Sequence, residues 1–171
     1  MVCDLAAVGH FFVPRSAGGH FVIWAIMAIF VVAETICLTK HLQITTMTIE
    51  IGIRHTSRVV VDSSNVASAV GSGGLDVFAT PSMVALMENA AMTAVAPFLE
   101  EGQTTVGGHI NTSHLAPSPV GATIEAEAVV TAVEGRKIEF AVEARCDGKV
   151  IGNGTHLRFV VDAAKFMSKL L

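Results

Sequence analysis

Glu88 is the residue whose type and position most suggest chemistry. It is the only charged residue between Pro81 and Leu99, in an otherwise apolar stretch. On a helical wheel it lies at the border of the apolar face, where a carboxylate is costly unless it has a partner or a task. A boundary glutamate that reaches solvent is an equally acceptable interpretation. Residue type and spacing therefore do not decide whether Glu88 has a catalytic or a structural role.

Three histidines and one threonine are further candidates. His109 and His114 lie in a segment with period-two character, and their separation of five places them on opposite faces of a strand, so only one can face the helix. Each alone is more typical of a structural or surface position than of a catalyst, and so is His156. Thr80 precedes Pro81 at the predicted start of the helix, where its hydroxyl has a competing role as the N-terminal cap.

Motifs that bind phosphate groups or metal ions are absent from the sequence. Gly107 and Gly108 lie inside a predicted strand, which indicates a bulge or a close approach of the backbone to a ligand. They are not part of a phosphate loop, because neither GxxxxGK[ST] nor GxGxxG occurs. The three cysteines, Cys3, Cys37 and Cys146, show no metal-binding spacing and indicate free thiols in a reducing compartment. We therefore expect no metal and no cofactor.

One helix is predicted to carry Thr80 and Glu88. It begins at Thr80-Pro81 and extends to about Ala96, before Pro97. Apolar residues recur along it at helical spacing: Met83, Leu86, Met87, Ala90, Ala91 and Ala94. Because small residues fill most of the remaining positions, little of the circumference is polar, and the pattern predicts a buried helix.

Strands are predicted on both sides of this helix. Residues 58–62 form a short strand, a Ser/Gly-rich segment at residues 63–74 indicates a mobile loop or short helix, and four candidates follow at 104–115, 122–133, 136–145 and 150–161. Glu134-Gly135 and Asp147-Gly148 are typical hairpin turns. The order predicts a strand, a central helix and then an antiparallel meander, which is an α+β arrangement with a sheet curled around the helix.

Composition narrows the function classes. The 171 residues suit one domain, 51% are hydrophobic and 15% are charged, and the mean hydropathy of +0.59 is high for a soluble protein. A formal net charge of −4 provides none of the basic field that phosphate backbones require, so nucleic-acid binding is disfavoured.

The high mean hydropathy of the chain comes largely from the N-terminal region, residues 1–46. Residues 21–33 form an unbroken run of thirteen apolar residues, and only residues 21–38, including Glu34, approach the roughly 17 to 25 that a spanning helix needs. We weigh three interpretations: an extension or misplaced start before a functional chain that begins at Met47, a membrane anchor, or a cleaved signal. In each case residues 47–171 are expected to form the soluble domain.

The motifs also carry a resemblance to a known family. The run VFATPSMVALMENAA, followed by EGQTTVGGHINTSHLAPSPVG, VEGRK and IGNGTH, resembles the hot-dog-fold acyl-CoA thioesterases related to fluoroacetyl-CoA thioesterase, over roughly residues 47–171. Matched motif by motif, the resemblance implies a catalytic set of Thr80, Glu88 and His114. It also implies that Gly107 lines the acyl pocket, and the adjacent Gly108 is assigned to substrate binding with it.

The resemblance implies a fold, an assembly and a reaction. The family fold is a five-stranded antiparallel sheet wrapped around one long helix, and its members pair as homodimers with sites at the subunit interface. Thioester hydrolysis needs a nucleophile or an activated water, a proton carrier and a donor to the oxyanion. Glu88 would attack or act as base, His114 would transfer protons, and Thr80 would orient either or donate a hydrogen bond. The direct nucleophile, Glu88 or Thr80, stays open.

Three functions are compared. The leading hypothesis is a cytoplasmic enzyme that hydrolyses a short-chain acyl-CoA. Residues 63–74 contain no aromatic residue to form a tight apolar lid, so we expect a general short-chain thioesterase without selectivity for a fluorinated acyl group. The alternative is a non-catalytic acyl-CoA or acyl-carrier binding module, possible at a membrane only if residues 21–38 form an anchor. A hydratase on the same fold would need an Asp/His hydration motif that the sequence lacks.

Overall fold

The computed structural model describes residues 48–170, and in them the predicted α+β class is confirmed. The elements are β1 (Arg54–Val60), α1 (Thr80–Val95), a 3-10 turn (Ala96–Phe98), β2 (Gln103–His114), β3 (Thr123–Glu134), β4 (Lys137–Cys146), β5 (Lys149–Asp162) and α2 (Ala163–Met167). The five strands form one antiparallel sheet in the order β1-β3-β4-β5-β2. The apolar run at residues 21–33 and the boundary at residues 46–47 lie outside the described residues.

The period-two pattern of the third long strand predicts its buried face correctly. In β4 the inward residues are at most 3% exposed: Ile138, Phe140, Val142 and Ala144. The turn before β5 has positive φ at both central residues, +49° at Asp147 and +75° at Gly148, as a type I′ hairpin turn requires. The meander β3-β4-β5 therefore follows directly from alternation and turn residues.

The position of β2 differs from the predicted meander. β2 pairs with β5 at the sheet edge, and β3 pairs with β1 on its other side. Alternation identifies the face that a residue presents, but it does not identify the neighbouring strand. Consequently one side of β2 has no strand partner among residues 48–170.

Helix α1 packs its apolar face on the sheet. Its buried residues are Met83, Met87, Ala90, Ala91, Ala94 and Val95, and Leu86 is partly buried against the same core. The helix approaches β5 closely at Gly152, where an added Cβ would lie 2.5 Å from Met83 Sδ. The predicted buried helix is buried on its apolar face, whereas Ala85, Asn89 and Met92 are exposed along another face in a single chain. Within residues 48–170, no helix is both long and apolar enough to cross a membrane.

Candidate active site

The N-terminus of α1 brings Thr80 and His114 together. Thr80 is the first helical residue and His114 is the last residue of β2, and Thr80 Oγ1 lies 2.8 Å from His114 Nδ1, within hydrogen-bond distance. The N-cap residue is Ala79, and no side chain caps this helix end. The interpretation of Thr80 as a cap is therefore wrong, because a residue already inside the first turn is not placed to cap it. Its hydroxyl contacts the imidazole instead.

The second ring nitrogen of His114 has no partner among the described residues, and the residue borders a cleft. Nε2 is buried and has no hydrogen-bond partner within residues 48–170. Thr80 and His114 both line a cleft of about 300 Å³, together with Ala67 and Ser72 from the turn-rich segment. His109 is exposed on the other face of β2, as its separation from His114 predicts. The paired Thr80 and His114 thus line a space large enough for a small ligand.

Glu88 does not join this pair within one chain. It follows Thr80 by eight residues, which corresponds to about 12 Å along a helix axis. Its side chain is 40% exposed, and Oε2 lies 3.5 Å from Arg158 Nη1. The partner that a carboxylate at this border was expected to need is therefore a guanidinium on β5. The single chain holds two separate groups of polar residues.

The glycine pair forms the predicted bulge beside Glu88. The register between β2 and β5 shifts between Gly107 and His109, which leaves Gly108 as the extra residue. A Cβ at Gly107 would lie 3.2 Å from Glu88 Oε2, so the missing side chain keeps space open beside the carboxylate. A Cβ at Gly108 would instead lie 2.6 Å from the ring of Phe159. Only Gly107 therefore adjoins Glu88.

Arg158 is a buried residue beside Glu88 that no sequence motif singled out. It is 5% exposed, its Nε donates to Thr105 Oγ1 at 2.9 Å, and its Nη2 donates to the Thr105 carbonyl at 2.8 Å. Burial lowers the pKa of Arg158, and the facing Glu88 carboxylate raises it in part. Strand alternation could have identified Arg158, because it lies two residues after His156 and therefore on the same inward face of β5.

His156, the weakest of the three histidine candidates, is buried beside Arg158. It is 2% exposed, with Nδ1 at 2.8 Å from the His109 carbonyl and Nε2 at 3.2 Å from Arg158 Nη1. Burial is the main reason that its pKa falls below the usual value, with Arg158 adding to the effect and Glu88 opposing it. No group of three or more His, Cys, Asp or Glu side chains in the described part of the chain is arranged to hold a metal ion.

The comparisons with known proteins all point to one kind of protein. Residues 61–164 match the family model described as fluoroacetyl-CoA-specific thioesterase. The chain is 42% identical over 95 residues to the fluoroacetyl-CoA thioesterase of Streptantibioticus cattleyicolor, covering 56% of this chain and 68% of that protein.

Solved structures agree with the sequence matches. A solved structure of a fluoroacetyl-CoA thioesterase superposes with a TM-score of 0.68 at 35% identity, over 72% of this chain and 96% of that one. A Thermus thermophilus protein described as a thioesterase superfamily member superposes with a TM-score of 0.67 at 29% identity, over 72% and 91%. The range matched by the family model contains both groups of polar residues.

Proposed function

The chain belongs to the family of fluoroacetyl-CoA-specific thioesterases, and we propose that it hydrolyses short-chain acyl-CoA thioesters with Thr80, Glu88 and His114. The observation that carries this assignment is the contact between Thr80 and His114 in a cleft, with Nε2 of the imidazole buried and without a protein partner among the described residues. An imidazole held at one nitrogen can exchange a proton with a ligand at the other.

The reaction assigns each group a step. Either Glu88 attacks the thioester carbonyl carbon and water then hydrolyses the acyl-enzyme anhydride, or Glu88 takes a proton from water as that water attacks. In both routes the C–S bond breaks as the tetrahedral intermediate collapses, and His114 supplies the proton that the CoA sulfur takes up. Thr80 orients the imidazole. A third route uses the same residues: the Thr80 hydroxyl attacks the carbonyl carbon and Glu88 acts as its base. Hydrolysis in water enriched in oxygen-18 would label the Glu88 carboxylate only in the first route.

The separation of Glu88 from Thr80 supports a site completed by a second copy of the chain. About 12 Å along one helix is too far for both to touch the same carbonyl group. Two features support a homodimer: β2 is an edge strand, and the exposed face of α1 consists of small and apolar residues beside Asn89. We propose that Glu88 of one copy acts with Thr80 and His114 of the other.

The enzyme is proposed to accept short acyl groups without a strong preference for one of them. The turn-rich segment that borders the cleft contributes Ala67 and Ser72, which are small, and residues 63–74 contain no aromatic residue. Such a wall supplies little apolar surface to select one acyl group over another of similar size. Gly107 is proposed to contact the acyl group because it leaves the Glu88 carboxylate uncovered. Gly108 stays a bulge residue in this scheme, and its substrate-binding role remains a prediction.

We also propose that residues 47–171 form the catalytic domain and that the enzyme is cytoplasmic, as its free-thiol pattern suggests. The decisive assay follows thiol release from acetyl-, fluoroacetyl-, propionyl- and butyryl-CoA. We expect turnover of several of these substrates, with no strong preference for the fluorinated one. Tight binding without thiol release would instead identify a non-catalytic acyl-CoA binding module.

A further inference from the structure

His156 is buried at the centre of a chain of polar contacts that joins β2, β5 and α1. Its Nδ1 contacts the carbonyl of His109, the residue that follows the bulge glycines. Its Nε2 contacts Arg158 Nη1 at 3.2 Å, and the same Nη1 lies 3.5 Å from Glu88 Oε2. A Cβ at Gly107 would lie 3.4 Å from the imidazole Cε1, so the ring also borders the bulge.

These contacts fix the protonation state of the ring. A carbonyl oxygen can only accept a hydrogen bond, so Nδ1 carries the proton that points at His109. A guanidinium can only donate, so Nε2 must offer its lone pair to Arg158. The neutral Nδ1–H tautomer satisfies both contacts, whereas an imidazolium would place an N–H and a second positive charge against Arg158.

We propose that His156 is a positioning residue, a neutral imidazole that holds the Arg158 guanidinium against Glu88 and thereby fixes the carboxylate beside the Gly107 bulge. The inference rests on the proposed role of Glu88 in thioester hydrolysis. Arg158 has two further contacts, both to Thr105, so without His156 its Nη1 would keep only the 3.5 Å contact to a half-exposed carboxylate.

The charged and titratable groups around the ring agree with this arrangement. They are Arg158 on β5, Glu88 on α1 and the His109 side chain on β2. Burial and the two cationic or basic neighbours lower the pKa of the ring, whereas the hydrogen bond to the His109 carbonyl and the Glu88 carboxylate raise it, and the net direction is downward. A neutral ring is therefore expected at pH 7.

Kinetics of the full-length protein test the positioning role. His156→Asn keeps a donor near Nδ1 but is too short to reach Arg158, so kcat should fall roughly 10- to 100-fold with KM changed less than about 3-fold. His156→Gln can present its carbonyl oxygen near the Nε2 position and should stay within about 5-fold of the wild-type kcat. His55→Asn on β1 is the matched control and should leave kcat unchanged.

Two kinetic results would overturn the proposal. One is a His156→Asn enzyme with wild-type kcat. The other is a His156→Gln enzyme as impaired as His156→Asn while both melt near the wild-type temperature, because the Arg158 contact would then not be the feature that matters.

Nitrogen NMR of the imidazole tests the same contacts without relying on turnover. At pH 7 we expect the His156 ring to be neutral with the proton on Nδ1, and in Glu88→Gln its pKa should fall further because a negative charge is lost. An Nε2–H tautomer, an imidazolium at pH 7, or a His156 pKa unaffected by Glu88→Gln would contradict the proposal. If the wild-type protein hydrolyses none of the four acyl-CoA substrates, the proposed function fails, and the NMR result still decides whether His156 holds Arg158.

Discussion

The polar residues at the N-terminus of α1 and those two turns later differ in the contacts that hold them. At the N-terminus, Thr80 and His114 form one contact beside an open cleft. Two turns later, Glu88 meets Arg158, which is buried and has three further hydrogen-bond contacts. The first group contains a ring nitrogen without a partner among the described residues, whereas the second contains a carboxylate that faces a buried guanidinium. The proposed mechanism uses both groups, and a single chain holds them apart.

The largest effect should come from removing the charge in the second group. Glu88→Gln eliminates the carboxylate that we propose attacks the carbonyl carbon or activates water, so kcat should fall at least about 10³-fold while the melting temperature changes little. Glu101→Gln, an exposed position beyond the helix, is the control and should behave as wild type. Retention of most of the wild-type kcat in Glu88→Gln would remove Glu88 from the mechanism.

His114, the proposed proton carrier of the first group, should give the next largest effect. His114→Ala should lower kcat at least roughly 10²-fold, the low end of general acid-base contributions. His109→Ala on the opposite face of the same strand should stay within about 3-fold, because its exposed side chain lies away from the cleft. Equal losses at the two positions would mean that the faces of β2 are assigned incorrectly.

The two bulge glycines should separate activity from stability. Gly107→Ala places a methyl group 3.2 Å from Glu88 Oε2, so we expect roughly a tenfold loss of kcat/KM with little change in stability. Gly108→Ala places a methyl group 2.6 Å from the Phe159 ring, which should cost about 1–3 kcal/mol of stability and less activity. Kinetics and thermal melting of both variants check this, and the reverse pattern would assign the acyl contact to Gly108.

The smallest effect is expected from removing the N-terminal region. A chain that begins at Met47 keeps every strand described in residues 48–170 and every candidate residue of both groups, so its kcat should lie within about twofold of the full-length value. An unfolded or inactive truncated chain would place the first 46 residues inside the catalytic domain. Fractionation adds a second test: full-length protein that stays in the membrane pellet after a high-salt wash would identify residues 21–38 as an anchor.

Local sequence signals predicted the strands and the helix better than they predicted which strands pair with each other. Alternation and the Asp147-Gly148 turn predicted β4 and β5, because both depend on residues close in the chain. The pairing of β2 with β5 is a long-range choice that no local pattern encodes. The local pattern assigned the Thr80 hydroxyl to a cap and not to its contact with His114 for a related reason, since one residue decides between a cap and the first turn.

The residues proposed to act in catalysis were predicted from the sequence, but the buried contacts that support Glu88 were not, for a similar physical reason. Resemblance and residue type selected Thr80, Glu88 and His114, whose functional groups border open space. The support of Glu88 lies in β5, where His156 and Arg158 alternate with outward residues. A buried arginine is stabilised only by partners from other elements, and those partners become visible only when the strands are assembled.

The most direct test of the two-group account mixes two inactive variants. Glu88→Gln and His114→Ala proteins are unfolded, combined in equal amounts and refolded together, and thiol release is measured. If Glu88 of one copy acts with Thr80 and His114 of the other, a mixed dimer contains one intact site and one doubly defective site, and random pairing should restore roughly a quarter of the wild-type activity. A refolded mixture that contains mixed dimers and stays as inactive as either variant alone would contradict the account.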